Sequence, residues 1–191
     1  MRPIALILPL TLAVLPIPAV SADWDRPFID EQSAPTPSSV QDRDATWKES
    51  ATSLPPWPKD EDLVEFSVDD PSSQFRQFID GKHISIGADG AVRYTLVVES
   101  RSGVRNVSFE GLRCTPHGAL KIYAYGDKGS FHRTEGDWVS LRGSYGDKIH
   151  RDLHELILCV PRKFEPRSTR DMIHALQVRI PRDAGTGFIA D

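Results

Sequence analysis

Three charged residues interrupt stretches of this chain that are otherwise apolar. Arg93 stands in Val92-Arg93-Tyr94-Thr95-Leu96-Val97-Val98, and Glu110 and Arg113 stand in Val107-Ser108-Phe109-Glu110-Gly111-Leu112-Arg113-Cys114. Charges in such places rarely stay buried unless they are paired. One reading is therefore a structural ion pair. The other is a polar cluster beside Tyr123 and Tyr125, because a concave apolar ligand site needs a few convergent polar groups. Arg93, Glu110, Arg113, Tyr123 and Tyr125 are thus the candidate binding residues, and spacing alone does not separate the two readings.

Other residues that could do chemistry fall short of a site. His150 and His154 stand four apart and would share a helix face, a spacing that can seat a transition metal. A metal needs three or four ligands, however, no third presents itself, and Arg151 would repel a cation. The pair reads as solvated surface histidines, and no metal is expected. No Gly-x-Ser-x-Gly elbow marks a serine nucleophile. The glycines from Gly126 to Gly146 lack the Lys-Ser or Lys-Thr of a phosphate loop. No catalytic residue and no cofactor emerge. The function expected is that of a small non-enzymatic binding or interaction module, its partner an envelope protein or a small ligand. The alternative is a hydrolase acting on a cell-envelope component, with Glu110 or the histidines as acid or base.

The elements that must position these residues centre on Gly90 to Gly126. Asp89-Gly90 between Ile84-Ser85-Ile86 and Val92 to Glu99 is a strong hairpin signal, since glycine tolerates the positive φ of a tight turn. Val104 to Cys114 and Leu120 to Tyr125 follow after short connections, which favours antiparallel pairing. Val97 is apolar on the face opposite Tyr94 and Leu96, so this strand should be covered on both sides. The apolar phase differs between Val107 with Phe109 and Leu112 with Cys114, and a bulge near Gly111 would reconcile them. Leu63 to Val68 and Trp138 to Leu141 are further strand candidates, with Ser73 to Ile79 a loop or short strand between them. Asp152 to Leu158 has helical spacing, and Ser168 offers an N-cap for a second helix to about Gln177. The fold class is α+β: a mostly antiparallel sheet of about five or six strands, two short C-terminal helices and an extended N-terminal arm.

The 191 residues are of ordinary globular composition, 39% hydrophobic and 26% charged. Met1 to Ala22 reads as an export leader: Arg2, an apolar stretch from Ile4 to Ile17, then Val20-Ser21-Ala22 as a cleavage site. It is shorter than the roughly 20 apolar residues of a membrane span and carries Pro9 and Pro16. The absence of a cysteine near the cleavage point argues against lipid anchoring. A periplasmic or secreted protein with no integral membrane segment after leader removal is expected. There the two cysteines, Cys114 and Cys159, read as one disulfide closing a 45-residue interval, worth about 4 kcal/mol in the loop-entropy model. Two free buried thiols are the alternative.

Residues 23–60 read as an acidic, proline-rich arm, 61–181 as the globular domain and 182–191 as a flexible tail. Thirteen acidic residues against four basic ones give Asp23 to Phe75 a net charge of −9, whereas the chain from Arg76 onward carries +4. The negative balance of the exported chain gives nucleic-acid binding no support. The basic residues Arg162, Lys163, Arg167 and Arg170 read as a solvated face. Trp24, Trp47 and Trp57 are dense for a spacer. Either Trp47 and Trp57 dock on the body and cover the second sheet face, or the arm is a partner-binding segment.

Several of these stretches resemble one family. Asp89-Gly90-Ala91-Val92-Arg93-Tyr94-Thr95-Leu96-Val97, Asn106 to Cys114, Lys121-Ile122-Tyr123-Ala124, Trp138 and Cys159 are similar to the CNP1-like family, small exported proteins of Gram-negative bacteria. Trp47-Lys48-Glu49 and Leu54-Pro55-Pro56-Trp57-Pro58 resemble its upstream signature, so the likeness runs from about Trp47 to Cys159. The resemblance implies export, supports pairing of Cys114 with Cys159 and favours a docked arm. It carries over no activity, cofactor or catalytic residue.

Overall fold

The structure, a computed structural model, describes residues 45–67, 74–142 and 148–178. The leader, the first part of the arm and the tail named above lie outside the described residues.

The sheet grows from the Asp89-Gly90 hairpin. Gly90 has φ 75° and donates its N–H to the Gly87 carbonyl at 2.9 Å, closing the turn between β3 (Ser85–Ile86) and β4 (Val92–Ser100). β4 pairs antiparallel with β5 (Arg105–Arg113), which pairs with β6 (Ala119–Asp127). On the other side of β4 lies β2 (Phe75–Asp80), and outside it β1 (Leu63–Phe66). The far edge is shared by β7 (Ser130–Arg133) and the two-residue β8 (Val139–Ser140), which pair with opposite ends of β6. The main path thus has six strands, with β3 and β8 as short additions. The stretch read as a loop or short strand is the fully paired β2.

Helices cover one face. α1 (Lys148–Asp152) runs directly into a π-helical turn, Leu153–Leu158, so the predicted helix at Asp152 to Leu158 has the wider coil. α2 (Thr169–Val178) begins where predicted. Ser168 Oγ accepts the Asp171 N–H at 3.2 Å and donates to Asp171 Oδ2 at 2.7 Å, a cap that satisfies one orphan donor of the first turn. Leu153, Ile157, Leu158, Met172 and Leu176 are fully buried against Tyr94, Leu96 and Leu112 of the sheet. Each such side chain contributes about 1.5–3 kcal/mol by leaving water. Cys114, just past β5, is bonded to Cys159 at the start of β9 (Cys159–Val160), with the Cα atoms 5.6 Å apart. β9 pairs with β10 (Glu165–Pro166), and this small ribbon leads back to α2. The bond therefore ties the sheet to the helical layer.

The opposite face carries the segment 47–58. Trp57 packs on Phe131 at a ring separation of 5.3 Å and joins Phe78, Val97 and Val107. Leu54 joins Phe109, Tyr123 and Ala124. Gly126 makes room for this: a Cβ there would lie 2.8 Å from the Trp57 ring. Register also decides the question of the bulge. β4 and β5 pair without interruption from Val92 opposite Leu112 to Glu99 opposite Arg105. The irregularity lies on β6, where Phe109 faces Ala124 but Glu110 faces Ile122, leaving Tyr123 as the extra residue. β5 needs no bulge near Gly111, because both its faces are covered and apolar residues occupy both parities.

Replacing both cysteines by alanine should lower stability by about 2–5 kcal/mol, read as a shifted urea midpoint. An unchanged midpoint would mean that the link between sheet and helices adds nothing to the folded state.

Candidate functional site

The sheet face under the 47–58 segment is organised by Asp89, which the hairpin places beneath Arg93. The two side chains are 1% and 5% exposed, and the guanidinium donates to both carboxylate oxygens, at 3.0 and 2.7 Å. Asp89 also accepts the backbone N–H groups of Ser50 and Ala91, at 2.8 and 3.1 Å. Burial works against its charge, but the Arg93 and backbone donors outweigh it and hold the carboxyl well below the usual carboxylate range. The Asp89 carbonyl accepts the Trp47 indole N–H at 2.8 Å, and Arg93 reaches the Ser50 carbonyl at 3.3 Å. Asp89 is thus the point at which arm and hairpin meet.

Beside it, β6 presents Lys121 and Tyr123, two residues apart, on the same face. Glu49 accepts from Lys121 Nζ at 2.9 Å and from the Tyr123 hydroxyl at 2.7 Å. Burial opposes the Glu49 charge as well, yet these two donors, with the Trp138 indole beside them, leave its carboxyl below the ordinary value. Burial and the bond to Glu49 push the Tyr123 phenol the other way, up to about 12, against the pull of Arg93. Arg113 lies 3.7 Å over the Trp47 ring and 5.9 Å from that of Trp138. Trp138 meets Trp47 edge-on at 5.4 Å and Tyr123 at 6.3 Å.

Glu110 belongs to the opposite face. Its partners across the sheet are Tyr94 and Ile122, and it is 2% exposed under α1. His150 Nε2 lies 2.8 Å from Glu110 Oε2, and Ser108 Oγ donates to Oε1 at 2.5 Å. Serine and imidazole each bond the carboxylate that stands between them. The five candidate residues are therefore split: Arg93, Arg113 and Tyr123 lie under the arm, whereas Glu110 and Tyr125 lie on the helix side. The histidines also differ from the surface reading. His150 is buried, and His154 donates Nε2–H to the Thr115 carbonyl at 3.0 Å, with burial lowering its pKa. Among the described residues no cluster of three or more His, Cys, Asp or Glu could hold a metal.

Tyr125 is 54% exposed and borders a cleft of about 360 Å³ lined by Leu120, Ile122, Tyr125, Thr134, Asp137 and Val139. Thr134 shapes its rim by donating Oγ1–H to the Ile122 carbonyl and its own N–H to the Tyr123 carbonyl, at 2.6 and 2.9 Å. Asp89, Glu49, Lys121 and Trp138 were not legible as site residues. Asp89 looked like turn chemistry, and only Trp47-Lys48-Glu49, as a recurring signature, pointed toward Glu49.

Two measurements follow from this geometry. Asp89→Asn should destabilise the fold by about 3–5 kcal/mol, because it leaves the buried Arg93 charge uncompensated; adding Arg93→Met should restore part of the loss, and equal midpoints for the single and double variants would refute the pairing. Tyr123 has a folded pKa above its unfolded value, so its contribution is complete below pH 10 and is lost as pH rises toward about 12. Absorbance at 295 nm should show a late phenolate contribution that Tyr123→Phe removes.

Among the described residues no helix is long and apolar enough to cross a membrane. No curated protein and no solved structure matches the sequence. The family profile described as CNP1-like matches residues 42–177, which takes in the arm from Trp47, the whole sheet, the disulfide and nearly all of α2. With most of its length inside that match, the chain belongs to the CNP1-like family.

Proposed function

We propose that the chain is an exported binding module, periplasmic or secreted, that works without catalysis and takes its ligand or envelope partner in the cleft around Tyr125. The observation that carries this reading is the contrast between that cleft and the polar groups held elsewhere on the sheet. Arg93 is bonded to Asp89, Tyr123 to Glu49 and Glu110 to both His150 and Ser108. In the cleft, by contrast, Tyr125 and Val139 expose 54% and 43% of their surface beside Leu120 and Ile122, with Asp137 and Thr134 at the rim. Apolar walls with a few polar groups are what a small-ligand site requires. Export is supported by the leader-like Met1 to Ala22 and by a disulfide of the kind that persists in oxidising compartments.

The hydrolase alternative would use Glu110 or His150, which are 2% and 8% exposed. A base in contact with its substrate needs hydrogen-bond access to it, which favours the binding reading.

Protein recovered from the periplasm should have an intact mass that begins at Asp23 and lacks two hydrogens. The neutral dye Nile red, used as a probe of the cleft, should bind Tyr125→Ala and Val139→Ser at least about tenfold more weakly than the unchanged protein, with thermal midpoints preserved. Equal dye binding would remove the cleft from consideration. Turnover of a chromogenic ester or a peptidoglycan fragment that disappears in folded Glu110→Gln would overturn the non-enzymatic reading.

A further inference from the structure

We propose that Lys121, Tyr123 and Trp138 form a carboxylate-binding site whose resident occupant is the chain's own Glu49, so that the arm competes internally with a carboxylate-bearing ligand. The site lies on the opposite sheet face from the Tyr125 cleft and does not depend on it.

The walls of this site are built by the sheet, while its occupant comes from a segment without regular structure. Lys121 and Tyr123 stand two residues apart on β6 and so project from the same face, where the bulge keeps Ala124 beside them. Gly111 on β5 provides the seat: a Cβ at this position would lie 2.7 Å from Tyr123 Cε2 and 2.9 Å from Trp138 Cη2, so only glycine lets both rings rest against the strand. Glu49, by contrast, hangs between Trp47 and Ser50, whose N–H groups are both bonded to Asp89.

An orphaned donor indicates that the occupant is not the best ligand for the site. The Trp138 indole N–H is buried beside Glu49, near enough to help hold its carboxyl ionised, but it makes no hydrogen bond of good geometry among the described residues. A buried donor without a partner costs free energy. A carboxylate offers about four lone-pair positions, enough for three donors. Glu49, tethered on both sides, forms well-shaped bonds with Lys121 and Tyr123 and meets the third donor only at poor geometry. An untethered carboxylate can settle between all three, in a field reinforced by Arg113 next to Trp138. The tether gives Glu49 a high effective concentration, so a free carboxylate binds weakly until the arm lifts or Glu49 is removed.

Acetate is the probe, and the Trp138 indole resonance in a ¹H–¹⁵N spectrum is the readout. In Glu49→Ala, acetate should move that resonance downfield saturably, at a concentration at least about tenfold below any response of the unchanged protein. Lys121→Met added to Glu49→Ala should abolish the shift. If Glu49→Ala does not fold, Glu49→Gln, which keeps the packing and removes the charge, serves in its place with the same expectation. A folded Glu49 variant whose Trp138 resonance ignores acetate would overturn the site. A response equal to that of the unchanged protein would overturn the competition.

Discussion

The ion pair between Asp89 and Arg93 is the constraint on which the rest of the molecule depends. Removing two charges from water costs several kcal/mol each, and attraction offsets that only when further hydrogen bonds complete the shell. Here the shell is drawn from three parts of the chain. The hairpin supplies Ala91 N–H, β4 supplies the guanidinium, and the arm supplies Ser50 N–H to the aspartate and the Ser50 carbonyl to the arginine. If the arm lifts, both charges lose a partner at once. Gly87 is part of the same arrangement, since a Cβ there would come within 2.0 Å of Arg93 Nη1 and 2.4 Å of Asp89 Oδ1. Turn, strand and arm are therefore conditions for one another, and the pair enforces one arrangement more than it adds stability.

A sheet covered on both faces explains why β4 and β5 read as continuous apolar runs. A strand with one wet face alternates, and one with two dry faces does not. Val97, Val107 and Phe109 need Trp57, Leu54 and Phe131 over them as surely as Tyr94 and Leu112 need the helices. The arm is thus a layer of the fold built from side chains without secondary structure. Proline-rich stretches such as Leu54-Pro55-Pro56-Trp57-Pro58 suit that task, because their fixed φ lowers the entropy lost on docking.

Much of this was legible in the sequence, for identifiable reasons. Asp89-Gly90 announced the hairpin because turn chemistry is local, and Ser168 announced α2 because a cap is local too. The pairing of Cys114 with Cys159 followed from there being no other cysteine. What stayed hidden depends on which face a residue occupies. A charge within an all-apolar run signals burial but not direction, so Arg93, Glu110 and Arg113 looked like one cluster until strand register placed Glu110 under α1. Asp89 hid in plain view, since its turn role was sufficient to explain it. The phase change along β5 was real, but its cause was coverage on both faces and not an inserted residue.

The inserted residue on β6 shows how one position can divide the faces of a strand. Shifting a strand by one residue moves every side chain to the other face, and a bulge does this for only part of its length. On the N-terminal side of Tyr123, Leu120 and Ile122 face the helices' side and Lys121 faces the arm; beyond it, Ala124 joins the arm face and Tyr125 returns to the open cleft. Were the strand to alternate regularly from Ile122, Tyr125 would fall on the arm face and out of the cleft. The bulge therefore lets one strand line an apolar cleft on one side while holding a cation and a phenol against a carboxylate on the other. Two surfaces of different chemistry fit on so small a sheet because their shared strand changes phase along its length.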